Sequence, residues 1–562
     1  MNIYQLFPRV FGNKNDNTVF DGDKEKNGCG TFADIDDTAI EALKSLGITH
    51  IWLTGVLRHA SLTAYPELGI NATHRQITKG KAGSPYAIVD YYDIDPDLAI
   101  DPDKRMKEFE ELVRRIHDHG LKVIIDFVPN HLAREYKSIC RPAYVEDFGA
   151  HDNVMVSFST NNNFYYCPQQ KFVLPYGVAS DVSDYQEYPA KASGNDVFVP
   201  TPSVNDWYDT VKLNYGIDYS EGRTYFEDIP DTWHKMLHVL RFWCGKDIDG
   251  FRVDMAEMVP VEFWAWVLDN IHREYDVVMI AEIYRPDLYR RYLDAGFDYL
   301  YDKVGLYNTL ENICRHKQRA DSITDTWKVL NGLDDRMLRF MENHDEQRVA
   351  SEHFYGDSFK ALPAVTVSAL MNRGPFMIYD GQESGEDARG SNGFSGDDGR
   401  TSIFDYVTMP KHQRWMNNGA FDGGGFDKQQ KKLYEFYKRL LNLRLDSDAI
   451  RRGEFYDLMW ANPWYSDFDP QFVYAFLRYY NNDRLLVVVN FNDKECRDVK
   501  VKIPSDALSL MKVDVNSRWI LYDVFNDCKI DVDIHTVDDE GVPLLLEPSD
   551  VKVMSLREFY KK

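Results

Sequence analysis

Arg252 and Asp254 stand two positions apart in the apolar stretch IDGFRVDM, residues 248–255. Alternate side chains of a β-strand share one face, so both charges would point the same way. Burying a charge without a partner costs several kcal/mol. A guanidinium beside a carboxylate meets that need, and it holds the carboxylate ionised and oriented for nucleophilic attack.

Other predicted strands of the chain also end in polar side chains. These strand-end groups are Asp126, Asn130, His131, Glu282, His344 and Asp345. A single such residue is usually a helix cap or a solvated charge, but four successive strand ends that all carry polar side chains need another explanation. A cluster of carboxylates suits glycoside hydrolysis with retention: one attacks the anomeric carbon, a protonated one serves the leaving oxygen, and a third stabilises the transition state.

The elements that must position these groups alternate regularly. Amphipathic helical stretches separate seven short apolar runs, at 48–56, 121–131, 248–255, 277–284, 297–304, 338–345 and 374–383. Near-continuous apolar strands are typical of a parallel sheet that is buried on both faces. The pattern predicts a (β/α)8 barrel, in which the carboxyl ends of the strands meet at one mouth, with a doubly wound sheet as the alternative.

Two regions break this rhythm. Residues 132–222 are polar, aromatic and rich in asparagine, and they predict a domain inserted after the third strand. Residues 451–562 change to short alternating strands, which predicts a C-terminal antiparallel β-sandwich. The barrel itself would then comprise 1–131 and 223–450.

Bulk composition narrows the classes of function. A formal net charge of −25 disfavours nucleic acid and anionic membranes as partners and is compatible with an enzyme for a neutral substrate. The seven cysteines include no CxxC pair, which is typical of reduced, scattered thiols. The first residues, MNIYQLFPRVFGNK, lack the pattern of a secretory signal, so a cytoplasmic location is expected, although an exported chain without its leader would begin in the same way.

Several segments together resemble the signature regions of the α-amylase family, glycoside hydrolase family 13. DFVPNH (126–131), GFRVDMAEM (250–258), AEIY (281–284) and FMENHDEQR (340–348) match its four short regions in order. GSPYAIVDYYDIDP (83–96) resembles the stretch that supplies a stacking tyrosine, and GPFMIYDGQE resembles the last barrel strand. The resemblance covers the whole chain and implies a (β/α)8 TIM barrel, an inserted B domain and a C-terminal β domain.

The resemblance implies a role for each matched residue. Asp254 would be the nucleophile, Glu282 the general acid/base and Asp345 the stabiliser of the transition state. The substrate-binding residues would be Arg252, His131, His344 and Tyr86, and Asp126 is interpreted as structural.

The chain departs from the family pattern at two places. Glu257 and Met258 stand where many starch-degrading members carry Lys-His, and Ala87 follows Tyr86 where many have aspartate. These departures lead to the hypothesis that malto-oligosaccharides are preferred to intact starch. The expected partner is therefore an α-glucan oligosaccharide with α-1,4 bonds.

Calcium is the metal that the resemblance implies. Asn130 matches a family ligand at the seam between barrel and B domain. Asp23, Glu25 and Asn27 resemble an N-terminal calcium loop with hard oxygen ligands, for which a polar turn is an equal alternative.

Two rival functions stay open. A transglycosylase or isomerase of the same family, such as a maltosyltransferase or trehalose synthase, would use the same covalent intermediate with another acceptor. A non-catalytic binding relative would have lost catalytic carboxylates, whereas Asp254, Glu282 and Asp345 are all present.

Overall fold

Eight parallel strands close into a barrel in the computed structural model, which describes residues 1–178, 182–465 and 467–558. Each strand pairs with its neighbours along the chain, and the last pairs with the first. The predicted (β/α)8 barrel is thereby confirmed, and the doubly wound alternative is wrong. The strands are β1 Asn2–Leu6, β2 His50–Leu53, β3 Lys122–Phe127, β4 Gly250–Val253, β5 Val278–Ala281, β6 Tyr299–Tyr301, β7 Met337–Phe340 and β8 Phe376–Tyr379.

The first strand was not predicted from its sequence. Its five residues, NIYQL, are all buried, although two of them are polar. The Asn2 amide donates to the carbonyls of Gly47 and Leu441 at 2.7 and 2.9 Å, and these hydrogen bonds offset the cost of burying it. Only pairing with β2 and β8 turns this short, half-polar segment into a strand.

Helices cover the outside of the barrel. The apolar positions predicted for the helix after Asp101-Pro102 lie on its inner face, where Phe109, Leu112 and Ile116 are fully buried. The principal helices are α1 Asp37–Leu46, α2 Arg105–Asp118, α3 Asp231–Cys244, α4 Val261–Glu274, α5 Tyr289–Asp294, α6 Ile323–Leu330, α7 Leu362–Leu370 and α8 Lys428–Asp446. None of the helices within the described ranges has both the length and the apolar character to cross a bilayer.

An insertion lies between β3 and α3, as predicted. It contains only two-stranded ladders: His131–Ala133 with Thr210–Lys212, Tyr166–Cys167 with Ala190–Lys191, and Ile217–Asp218 with Arg223–Thr224. The first ladder ties the end of β3 to the end of the insertion. The boundaries 132 and 222 stay a prediction, and residues 179–181 of this range lie outside the described residues.

The C-terminal region is antiparallel β-structure, as predicted. The strands are β9 Glu454–Asp457, β10 Val473–Tyr480, β11 Asp483–Asn490, β12 Arg497–Val501, β13 Trp519–Asp523, β14 Lys529–Val532, β15 Val542–Leu546 and β16 Val551–Glu558. A six-stranded sheet has the order β9-β10-β11-β16-β13-β14, and a separate two-stranded sheet pairs β12 with β15. Residues 466 and 559–562 of the predicted range 451–562 lie outside the described residues.

Candidate active site

Arg252 on β4 lies at the centre of the site, with 1% of its side chain exposed. Its Nη1 donates to Asp254 Oδ1 at 2.7 Å and lies 3.6 Å from Asp126 Oδ1. Its Nη2 lies 2.8 Å from Glu282 Oε2. The alternation of charges on this strand therefore brings one guanidinium against carboxylates from three adjacent strand ends, and these groups partner one another.

Three aromatic rings surround the same guanidinium. The rings of Trp52, Tyr86 and Tyr301 have their centroids 5.3–5.6 Å from the Arg252 Cζ. The Nε–H donates to the Tyr301 hydroxyl at 3.1 Å. Aromatic faces attract a desolvated cation, so the cage holds the guanidinium in place while leaving its two terminal nitrogens for the carboxylates.

Glu282 follows β5 and receives two further hydrogen bonds. The Tyr284 hydroxyl donates to Oε1 at 2.6 Å, and the Met255 N–H donates to Oε2 at 2.8 Å. Met255 has φ 43° and ψ 45°, a left-handed conformation that costs a non-glycine residue about 1–3 kcal/mol. The turn after Asp254 thus directs a backbone donor at the neighbouring carboxyl group.

The three predicted catalytic carboxyls share more negative charge than Arg252 can neutralise. The carboxyls of Asp254 and Glu282 lie against the two terminal nitrogens of the same guanidinium. Burial raises the pKa of Glu282 and of Asp254, and it raises the pKa of Asp345 well above its usual range, with the neighbouring carboxylates adding to the effect at Glu282 and Asp345. At least one of the three therefore holds a proton at a pH where an isolated carboxyl would be ionised.

His344 and Asp345 follow β7. His344 Nε2 lies 3.1 Å from Asp345 Oδ2, and the Gln5 amide nitrogen lies 2.8 Å from His344 Nδ1. An amide nitrogen only donates, so Nδ1 accepts and the proton of the neutral ring sits on Nε2, facing Asp345. Burial and the charge of Arg252 hold the pKa of His344 well below its usual range, so the ring stays neutral.

Tyr86 and His131 form part of the wall above these charges. Tyr86 stacks on the His344 ring at 5.1 Å and 25°, and the His131 ring lies 5.1 Å from that of Trp207. Burial lowers the pKa of His131 to about 4, so this ring too is neutral near pH 7.

One cavity of about 520 Å³ brings most of the predicted site residues together. Asp254, Glu282, Asp345, Tyr86 and His131 line it, whereas Arg252 and His344 are in contact with these groups and do not line it. The lining residues that sequence reasoning did not single out include Lys79, Ser84, Asp209, Phe394 and Phe404.

Gln5 and Tyr301 also escaped the sequence reasoning, although they orient His344 and Arg252. Tyr301 lies in a predicted strand, so strand alternation could have pointed to it. Gln5 could not be found, because its strand was not predicted.

The seam between barrel and insertion contains a lysine where the resemblance implied a metal. The Asn130 amide oxygen accepts a hydrogen bond from the Lys212 ammonium. The same ammonium lies 2.7 Å from Asp196 Oδ1 and donates to the Met258 carbonyl at 3.1 Å. Because a buried ammonium already occupies the oxygen atoms that would bind Ca²⁺, the residues at this place do not fit a calcium ion.

The predicted N-terminal loop also uses its oxygens internally. Asp23 Oδ1 accepts the Lys26 N–H at 3.0 Å as a helix cap. Asn27 Oδ1 accepts the Val19 N–H at 3.0 Å, and its amide nitrogen donates to the Val19 and Tyr406 carbonyls. Glu25 is exposed. These contacts are those of a polar turn, and calcium at this loop stays a prediction.

One further acidic group could have been taken for a metal centre. Among the described residues, Asp90, Asp93 and Cys140 place potential ligand atoms within 4.8 Å of one another. Arg58 lies 3.1 and 2.9 Å from the two carboxylates, and Arg105 lies 2.7 Å from Asp93. The group is a buried ion-pair network, with its negative charge already compensated.

Comparison with known proteins extends these observations. The family model of the alpha-amylase catalytic domain matches residues 5–453. Alpha-amylase 3 of Dictyoglomus thermophilum is 23% identical over 478 residues, which span 80% of this chain and 78% of that protein. The alpha-1,4-glucan:maltose-1-phosphate maltosyltransferase of Picrophilus torridus is 22% identical over 536 residues, spanning 93% of this chain and 65% of that protein.

A solved structure agrees with the fold. The crystal structure of a maltogenic alpha-amylase from Thermotoga neapolitana covers 100% of this chain and 99% of its own, with a TM-score of 0.63 and 20% identity. The resemblance drawn from the sequence is confirmed by the family model, which spans most of the 562 residues. The chain belongs to the α-amylase family of glycoside hydrolases, glycoside hydrolase family 13.

Proposed function

We propose that the protein is a retaining α-glycoside hydrolase that cleaves α-1,4-glucosidic bonds of malto-oligosaccharides or starch-derived α-glucans. The observation that carries the proposal is the contact of Asp254, Glu282 and Arg252 at the base of the cavity. Such a group supplies a nucleophile, an acid and the cation that orients them.

The closeness of the two carboxyls supports retention. Asp254 and Glu282 are both held by Arg252, at 2.7 and 2.8 Å from its two terminal nitrogens. Retaining enzymes hold their two carboxyl groups about 5–5.5 Å apart, whereas inverting enzymes need about 6.5–9.5 Å to seat a water molecule between carboxylate and sugar. Two carboxyls held by one guanidinium fit the shorter spacing better, so a covalent glycosyl-enzyme is the favoured route.

We assign to the three carboxyls the roles that the family resemblance implies. Asp254, held by the 2.7 Å bond from Arg252, attacks the anomeric carbon while the bond to the leaving oxygen breaks. Glu282 gives its proton to that oxygen, and then takes a proton from the water that releases the sugar. Asp345, beside the neutral His344, offers negative charge to the oxocarbenium-like transition state and accepts sugar hydroxyls.

The cavity walls support a short neutral sugar chain as the substrate. Aromatic side chains of Tyr86, Trp207 and Phe404 line it, and such rings present flat apolar faces to a sugar. At the positions of the family's Lys-His pair, the Glu257 carboxylate accepts the Tyr284 N–H at 3.0 Å, and Met258 has a side chain without a hydrogen-bond donor. These positions therefore do not support a long extended acceptor side.

Glycosyl transfer is the second candidate. The similarity to a maltosyltransferase favours it, and the same covalent intermediate would serve both reactions. The two differ only in whether water or a sugar hydroxyl reaches the intermediate.

A product time course on maltoheptaose tests the proposal. Only shorter sugars, absent with Asp254→Asn, would support a hydrolase, whereas sugars longer than the input would move the assignment to transfer. Asp498→Asn, which changes an exposed carboxylate in the C-terminal region, is the matched control and should keep full activity. No turnover by folded protein would contradict both readings, and an initial product of β configuration would contradict retention.

A further inference from the structure

We propose that Lys79 and Asp209 recognise the non-reducing end of the substrate chain, so that the enzyme works from that end. This inference rests on the proposed function and adds the direction in which the substrate is held. The two residues come from separate segments, the loop after β2 and the inserted region, and both line the catalytic cavity.

The pair has unused hydrogen-bonding capacity. Lys79 Nζ lies 3.1 Å from Asp209 Oδ1, and the Asp209 side chain is only 2% exposed. Despite this ion pair, Oδ1 has no hydrogen-bond donor of suitable geometry among the described residues. A buried carboxylate oxygen that lacks a donor costs free energy, and a sugar hydroxyl in the cavity would supply one.

Three segments join beside the pair and close this side of the cavity. The N–H groups of Ala82 and Gly83 both donate to the Phe404 carbonyl, at 3.0 and 3.1 Å. The Lys79 ammonium lies 5.8 Å from the Phe404 ring centroid and so bridges the loop after β8 to Asp209. A sugar chain could pass here only by breaking backbone hydrogen bonds or the ion pair.

The position of Glu282 decides which end of the substrate meets this wall. The acid protonates the leaving oxygen, so the leaving part of the substrate lies toward β4 and β5, with Met255 and Tyr284. In the barrel order, β8 and β1 lie opposite β4 and β5. Phe404, in the loop after β8, therefore lies on the side opposite Glu282, and Lys79 connects Asp209 to it. On this basis we place the pair against the part of the sugar chain that becomes bonded to the enzyme.

The charge of the pair indicates what it binds. One ammonium and one carboxylate cancel, which favours neutral hydroxyls over a phosphate group. The ammonium donates and the carboxylate accepts, which complements two adjacent hydroxyls on a terminal sugar ring. His131 lines the same cavity as Lys79 and Asp209.

Two chromogenic maltoheptaosides with the same leaving group test the inference. One has a free non-reducing end, and in the other the 4- and 6-hydroxyls of that end are blocked by an ethylidene group. We expect the wild-type protein to cleave the blocked substrate at least about 100-fold more slowly in kcat/KM, because a site built to bind hydroxyls rejects a substrate that lacks them. Equal rates on the two substrates would overturn the inference and leave the proposed function standing.

Variants of the pair give the second readout. Asp209→Asn and Lys79→Met should each lower kcat/KM on the free substrate, mainly through KM, and reduce the discrimination to less than about tenfold. Lys81→Met is the matched control, since its ammonium lies 3.6 Å from Asp21 and does not line the cavity. Unchanged discrimination in folded Asp209→Asn, as judged by its thermal unfolding, would overturn the inference; failure of both substrates with every folded protein would overturn the proposed function as well.

Discussion

Two buried cations lie near neighbouring strand ends of the barrel, and they face different partners. Arg252, on β4, faces Asp254, Glu282 and Asp126, so the negative charge around it exceeds its own. Lys212, with 2% of its side chain exposed, faces a single carboxylate together with an amide oxygen and a backbone carbonyl.

The surroundings of Arg252 suit a catalytic role, whereas those of Lys212 suit a structural one. Burial raises the pKa of Glu282 and the charge of Asp254 adds to that shift, which favours a protonated carboxyl that can act as an acid. Around Lys212 the charges balance, and its hydrogen bonds connect three separate parts of the chain. The group around Arg252 therefore contains a carboxyl whose pKa is raised, and the group around Lys212 attaches the inserted region to the barrel.

Replacing Glu282 by Gln should have the largest effect on activity, because glutamine has nearly the same shape as glutamic acid and cannot give a proton to the leaving oxygen. We expect kcat on maltoheptaose to fall about 10³-fold, within the range of general acid catalysis. An activated aryl maltoside should lose much less, since its leaving group needs little protonation. Glu274→Gln, at an exposed ion pair with Arg241, is the control, and equal losses on both substrates would contradict the assignment of the acid.

Raising the pH should affect the activity and the stability of the protein differently. Glu282 acts when protonated, so kcat/KM should fall about tenfold per pH unit above its raised pKa. Folding raises the pKa of Asp126 from 3.8 to about 7, so between these pH values the folded protein binds more protons than the unfolded chain, and its stability falls as the pH rises. The contribution of this carboxyl to stability is complete below pH 3.8 and is lost by about pH 7, so Asp126 itself adds no further loss of stability above pH 7.

The measurement is a kcat/KM profile beside the unfolding temperature, from pH 6 to pH 9. Burial lowers the pKa of Lys212, and the charge of Asp196 opposes that shift. An unfolding temperature that falls in parallel with kcat/KM would show that the alkaline limb reports unfolding instead of Glu282.

Replacing Lys212 by Met should weaken the attachment without removing the acid. We expect unfolding to become easier by about 3 kcal/mol, since Asp196 and the Asn130 oxygen lose their buried partner. Adding Asp196→Asn should restore part of that loss, because the two effects are coupled. Chemical unfolding measures both, and Lys500→Met at an exposed ion pair should stay within about 0.5 kcal/mol of the parent.

A smaller effect is expected from Tyr301→Phe, which removes the acceptor of the Arg252 Nε–H. A buried donor left without a partner costs about 1–3 kcal/mol, so kcat should fall about tenfold. Tyr379→Phe is the control, because that buried hydroxyl has no hydrogen-bond partner among the described residues. Equal kinetics for the two variants would contradict a positioning role for Tyr301.

Chelation should have the smallest effect. The Lys212 ammonium occupies the oxygens at Asn130, and Asp23 and Asn27 use theirs for hydrogen bonds within the N-terminal loop. Excess EDTA should therefore shift the unfolding temperature by about 1 °C or less. A drop of several degrees that added Ca²⁺ reverses would show that a calcium ion stabilises the chain after all.

Some of the candidate functional residues could be predicted from the sequence, and others could not. Asp254 and Glu282 were predictable because each directly follows an apolar strand, and Asp345 because it lies in the polar segment shortly after β7. Parallel strands bring such ends to one mouth. Lys212 was not predictable as the partner of Asn130, because the two are 82 positions apart and meet only through the ladder at the end of β3. Lys79 and Asp209 are separated by 130 positions and belong to loops without a repeating pattern.

The sequence by itself determined the barrel, the order of its domains and the family, because hydrophobic alternation and short charged motifs are local patterns. Only the tertiary structure decided that NIYQL closes the barrel and brings Gln5 to His344, and that an ammonium binds at Asn130. The physical reason is the same in each case. A polar side chain is buried only where a distant group supplies its hydrogen bond, and the identity of that group is a property of the folded chain.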